Sequence, residues 1–155
     1  LITAPAADRT TRLILHTIDD GSQRDLGTFY WLRGLSVGPS GAWATFILSN
    51  QPDSGASGIY ALNLNDPAAQ PVKLPWFGAW RWRDNDELYV IPMALDDGET
   101  AQTLHHYDLT TGVQTPLLTP PFTVMNGDWA VSSDGGRIAY RDALTGEFTL
   151  LDYAP

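Results

Sequence analysis

Cysteine is absent from the 155 residues, and lysine occurs once, at Lys73. The first absence excludes disulfides and thiolate metal sites. The second, set against 18 acidic residues, leaves a formal charge of −9. Duplex nucleic acid and anionic membrane surfaces both require dense Lys and Arg, so neither is an expected partner. No apolar run approaches the roughly 20 residues that span a bilayer, so no membrane insertion is expected. The opening Leu1-Ile-Thr-Ala-Pro-Ala-Ala-Asp8 has no Met, no basic start and no long apolar region, so it is not an intact signal peptide. The chain is expected to be a piece of a longer one. No stretch of ten or more residues holds a 3.6-residue apolar period, which excludes a helical architecture.

What is present is turn-forming and β-forming. Apolar residues make up 43%, enough for a sizeable core. The 14 glycines and 11 prolines are dispersed, as they are where many turns join short strands. Short β-rich runs such as Arg12–Ile18, Trp43–Leu48 and Ile59–Leu64 alternate with polar turns such as Asp19-Asp-Gly21 and Gly38-Pro-Ser-Gly41. The expected fold class is all-β.

The runs repeat. Leu35-Ser-Val-Gly-Pro-Ser-Gly-Ala-Trp-Ala-Thr-Phe46 aligns without a gap on Trp129-Ala-Val-Ser-Ser-Asp-Gly-Gly-Arg-Ile-Ala-Tyr140. Trp80-Arg-Trp-Arg-Asp-Asn-Asp-Glu-Leu-Tyr-Val90 matches both with one turn residue fewer. Third strands end on Ile18, Leu64, Leu109 and Tyr153, spaced 46, 45 and 44 residues apart. A period of about 45 residues fits β-propeller blades of four antiparallel strands. The expected division is a partial blade at 1–27, blades at 28–78 and 79–125, and a partial blade at 126–155. Counted as cd, abcd, abcd, abc, this gives 13 expected strands, about three blades' worth. A four-bladed ring needs about 16, so one chain leaves the ring incomplete. Other blades, of the same protein or of another chain, are then needed to close it.

The turn Ser133-Asp-Gly-Gly-Arg-Ile-Ala-Tyr140 resembles the strand-turn-strand element of TolB-like and WD-repeat-like propellers. Leu150-Leu-Asp152, Tyr107-Asp-Leu-Thr-Thr-Gly112 and Leu62-Asn-Leu-Asn65 resemble the third strand and turn of the same family. The copy at 80–125 departs from the pattern by turning on Asp84-Asn85-Asp86, and no Trp-Asp dipeptide closes a strand. The resemblance implies a partial propeller, and it favours a periplasmic or extracellular location.

Trp80-Arg81-Trp82-Arg83 is the most site-like run, with aromatic faces to stack on and guanidinium groups for carboxylate or phosphate. The repeat weighs against the tryptophans as ligands' seats. Trp80 aligns with Leu35 and Trp129, and Trp82 with Val37 and Val131, which are core positions. Arg81 and Arg83 align with Ser36, Gly38, Ala130 and Ser132, so the fold does not require them. They are expected to face the propeller channel or to pair with acids. Arg81, Arg83 and Trp76 are therefore the candidate ligand- or partner-binding residues.

His105 and His106 are adjacent on a strand and so face opposite sides, which prevents joint chelation. The acidic turns Asp19-Asp20, Asp84-Asn85-Asp86 and Asp96-Asp97-Gly98-Glu99 lack the twelve-residue Ca²⁺-loop pattern. No Gly-x-Ser-x-Gly, His-Glu-x-x-His or phosphate-cradling glycine loop is present, and neither cofactor nor metal is implied. The expected function is non-catalytic interaction or ligand binding, with a protein or neutral glycan as partner. The loops at 50–58, 94–101 and 116–127 are the expected contact surfaces. Two alternatives remain. One is the gating propeller of a prolyl-oligopeptidase-type serine peptidase, or part of another propeller enzyme. The other is a structural or surface-assembly protein that pairs through open blade edges.

Overall fold

The computed structural model describes residues 2–5, 8–93, 102–122 and 124–153. It divides into two compact units, Leu1–Val37 with Gly41–Pro75, and Gly38–Ser40 with Trp76–Pro155. Each unit carries two antiparallel sheets whose strands follow in chain order.

In the first unit, β1 (Ile2–Pro5), β2 (Thr10–His16) and β3 (Gln23–Tyr30) form one sheet. β4 (Leu32–Val37), β5 (Trp43–Leu48), β6 (Gly58–Asn63) and β7 (Val72–Lys73) form the other. Leu13, Ala44, Phe46, Leu48, Leu62 and Leu64 are buried together between them. Phe46 lies 5.3 Å from Phe29 and stacks at 6.0 Å on Tyr60. Strand β5 buries Ala44, Thr45 and Phe46 in succession, so both of its faces are covered.

In the second unit, β8 (Gly78–Trp82), β9 (Glu87–Pro92), β10 (Gln102–Asp108) and β11 (Gln114–Phe122) form a four-stranded sheet. β12 (Val124–Val131), β13 (Arg137–Asp142) and β14 (Phe148–Asp152) form a three-stranded one. Tyr89, Ile91 and Leu104 of the first pack on Val124, Trp129 and Ile138 of the second. Among the described residues the only helical element is the 3-10 turn Ser54–Ala56, and no helix is long and apolar enough to cross a membrane.

The all-β class and the blade-like sheets are as the sequence implies, with two corrections. There are fourteen strands rather than thirteen among the described residues, because Ile2–Pro5 pairs with β2. Within the loop expected at 116–127, residues 116–122 and 124–127 are instead parts of β11 and β12. Pro116, Pro120 and Pro121 are tolerated because β11 is the sheet's edge, where a missing N–H breaks no inner ladder. Trp31, with a φ of 50°, separates β3 from β4. The loop at 94–101, with its acidic turn at 96–99, lies outside the described residues.

Candidate functional site

Strand β8 carries the Trp-Arg-Trp-Arg run, and its pairing fixes where each side chain goes. Arg81 lies opposite Tyr89 of β9, which lies opposite His106 of β10. Trp82, Leu88 and Tyr107 form the next row. Since side chains alternate along a strand, the arginines share one face of the sheet with Tyr89 and His106. The tryptophans take the other face.

The arginine face packs on the β12–β14 sheet. The Arg83 guanidinium pairs with Glu87 at 2.8 Å, and the other carboxylate oxygen of Glu87 is 3.2 Å from His106 Nε2. Arg83 also lies 5.8 Å from the ring centre of Tyr89 and 5.9 Å from that of Tyr153. The buried Tyr89 hydroxyl donates to the Gly135 carbonyl at 2.8 Å. Gly135 has φ +71°, and a Cβ there would lie 2.6 Å from the Arg83 carbonyl oxygen. Glycine is therefore required at this contact by both conformation and space.

Arg81 is held differently. Its guanidinium stacks on Trp129 at 4.9 Å and donates to the carbonyls of Trp80 at 2.8 Å and Gly127 at 3.5 Å. Among the described residues no carboxylate pairs with it. Burial alone pushes its pKa down from the ordinary value. A half-buried arginine with neutral partners retains capacity for an anionic or carbonyl-bearing group.

On the opposite face, Trp76 is buried, 6.4 Å from the ring of Trp80 and 5.7 Å edge-on to Tyr107. Its indole N–H has no hydrogen-bond partner among the described residues. Trp80 and Trp82 are half-buried, whereas Trp129, the equivalent of Trp80, is buried. The two histidines do face opposite ways, His105 opposite Val90 and His106 opposite Tyr89. Burial pushes the His105 pKa down, and its Nδ1 has no hydrogen-bond partner among the described residues.

The sequence singled out Arg81, Arg83 and Trp76 but not Glu87, Tyr89 or Trp129 as their companions. The available signal was departure from the repeat. Tyr89 stands where the other copies have Thr45 and Ala139, and Glu87 stands where they have Trp43 and Arg137. Open clefts also lie among the described residues. One, about 110 Å³, is lined by Asp128, Arg141, Asp142, Ala143 and Gly146. Another, about 280 Å³ and within the first unit, includes Asp25, Leu62 and Asp66. Among the described residues no group of three or more His, Asp or Glu is placed to hold a metal ion.

The chain is similar in fold to TolB from Acinetobacter baumannii, with TM-score 0.52 and 18% identity over 94% of this chain and 41% of that one. It is similar to the β-propeller domain of the Trilobed protease from Pyrococcus furiosus, with TM-score 0.57 and 10% identity over 99% and 49%. It is also similar to an oligogalacturonate lyase in complex with manganese, with TM-score 0.51 and 16% identity over 97% and 46%. The chain thus spans less than half the length of each of these structures. No protein-family model matches it, and no curated protein matches it by sequence. Likeness at such identities establishes fold and leaves activity open, since some of these propellers belong to enzymes. Among the described residues, four antiparallel sheets with these neighbours give the chain a β-propeller-type fold similar to that of TolB.

Proposed function

We propose that the chain is a non-catalytic interaction and ligand-binding module of a propeller protein, with Arg81 as its principal contact group. The observation that carries this reading is the half-buried guanidinium of Arg81, stacked on Trp129 and supplied with carbonyl partners only. Arg83 and Trp76 support it, Arg83 from the same face of β8 and Trp76 by packing behind Trp80. With a charge of −9, the suited partner is a protein segment or neutral glycan rather than a polyanion. Binding to panels of peptides and neutral oligosaccharides, followed by tryptophan fluorescence, tests the reading. Arg81→Ala should weaken binding by about tenfold or more, the scale of one charge-assisted contact. Equal binding by wild type and variant would show that Arg81 is not the contact group.

A second reading, as the propeller portion of a peptidase, is supported by the likeness to the Trilobed protease's propeller domain. It is checked in the flanking reading frame. A Gly-x-Ser-x-Gly element there, whose Ser→Ala change abolishes peptide cleavage, favours the peptidase.

A further inference from the structure

Among the described residues, four that are not glycine have a positive φ: Asp8 at 58°, Arg9 at 64°, Trp31 at 50° and Asn50 at 51°. All four belong to the first unit and meet at one corner of it. Asp8 and Arg9 lie between β1 and β2, Trp31 is the single residue between β3 and β4, and Asn50 lies between β5 and β6. Hydrogen bonds tie these three joints together. The Trp31 amide donates to the Arg9 carbonyl at 3.0 Å, and the Ser49 amide donates to the Trp31 carbonyl at 3.4 Å. The Gln51 side-chain amide donates to the Tyr30 carbonyl at 2.6 Å.

Glycine would make such turns without strain. A bulky residue in the left-handed region is an outlier, and strain of this kind clusters at binding and catalytic sites. Trp31 shows what the strain achieves. It stands 45 residues before Trp76, as Leu35 stands 45 before Trp80. Trp76 has no positive φ and is 8% exposed, packed on Trp80 and Tyr107. Trp31 is 36% exposed. The same residue at the same repeat position is core in one copy and turned outward in the other, and the backbone differs between them. Beside Trp31 the Tyr30 ring stands edge-on at 6.3 Å, and the Arg9 guanidinium lies 5.1 Å from the indole centre. Arg9 is exposed, and among the described residues no carboxylate pairs with it. A guanidinium stacked on a ring keeps its N–H edge, which matches a carboxylate.

We propose that this corner is a second binding site, in which Trp31 and Tyr30 seat an apolar stretch of a partner's peptide chain and Arg9 takes a carboxylate beside it. The carboxylate is an acidic side chain or the chain's own terminus. A single carboxylate is compatible with a charge of −9, whereas a polyanion is repelled. The site belongs to the first unit and stands apart from the reading of Arg81, which belongs to the second.

Nuclear magnetic resonance of the indole N–H signals of the chain tests the proposal, the Trp31 signal being the one that Trp31→Gly removes. The probes are N-acetylated hexapeptides with an aromatic residue beside a glutamate and an amidated C-terminus. They are compared with glutamine counterparts whose C-terminus is amidated or free. The glutamate peptide, or the glutamine peptide with a free terminus, should shift the Trp31 signal saturably, and whichever does so names the source of the carboxylate. The glutamine peptide amide should bind about tenfold or more weakly, and Arg9→Gln should weaken binding of the acid by about the same factor. Trp31→Gly should abolish binding yet melt no lower than wild type, because it relieves the strain. A clearly lower melting temperature would make the ring a packing residue and overturn the proposal. No saturable shift with any of the peptides, equal binding by Arg9→Gln, or a shift with cellohexaose alone would also overturn it. A peptide that moves the Trp129 signal and not that of Trp31 binds at Arg81, which overturns this site and leaves the other reading standing.

Discussion

Trp129 has two neighbourhoods. Its ring belongs to the buried cluster between the sheets of the second unit, and its face receives the Arg81 guanidinium. Trp129→Ala should therefore cost about 3–5 kcal/mol in chemical denaturation, as truncation of a buried aromatic does. It should also release Arg81, and Trp129→Phe should restore part of both effects. His105 makes a separate prediction. Burial lowers its pKa in the folded chain below the ordinary 6.5, so the folded state favours the neutral ring. The unfolded chain then binds more protons on acidification. The stability due to neutral His105 is present above pH 6.5 and is lost as pH falls through the folded pKa. His105→Leu should flatten that part of the profile of melting temperature against pH.

At the scale of the element, one hairpin recurs in different places. Asp108 accepts from the amides of Thr110 and Thr111 at 2.7 and 3.0 Å, and the Gly112 amide donates to its carbonyl at 2.8 Å. Asp142 repeats this with Leu144 and Thr145, both at 2.8 Å, and with Gly146 at 2.9 Å. The first joins β10 to β11 and the second β13 to β14, so the same turn serves different strand pairs. Thr17-Ile-Asp-Asp-Gly-Ser22 keeps the backbone bonds without the carboxylate, Thr17 taking the aspartate's place. Asp142→Ala should cost about 1 kcal/mol, the scale of an exposed side-chain-to-backbone bond, measured by denaturation. These bonds, first that from Thr111, hold the Asp108 carboxyl below its usual 3.8. Its contribution is present above pH 3.8 and lost as pH falls through the lower folded value. The Asp108-Leu-Thr-Thr-Gly112 copy was legible in the sequence as a family turn. The copy at Asp142 was hidden because it falls after the second strand rather than the third.

At the scale of the whole molecule, seams between sheets do the work that helices do elsewhere. In the second unit one seam is keyed by Gly135, whose backbone meets the Arg83 carbonyl and the Tyr89 hydroxyl. Gly135→Ala should destabilise the chain by more than about 1 kcal/mol, since it combines a left-handed residue with a forbidden approach. Tyr89→Phe should cost about 1 kcal/mol through the lost hydroxyl bond. The double variant should cost less than the sum, because both changes open the same contact. Additive denaturation free energies would show that the two contacts are independent.

The sequence by itself determined strand order, the period of about 45 residues and the turn chemistry, because alternation and turn bonds are local. It was silent on β1, where four residues ending in Pro5 carry too little pattern to mark a strand. It misassigned 116–127, because proline signals a loop unless the strand is known to be an edge. Only the tertiary structure decided the fate of Arg81 and Arg83, since a sequence names the face of a strand but not what lies across from it. Phe148 makes the same point most plainly. It occupies the repeat position of Leu13, Ile59 and Leu104, yet it alone of the four is exposed. Burial belongs to the neighbouring sheet as much as to the residue.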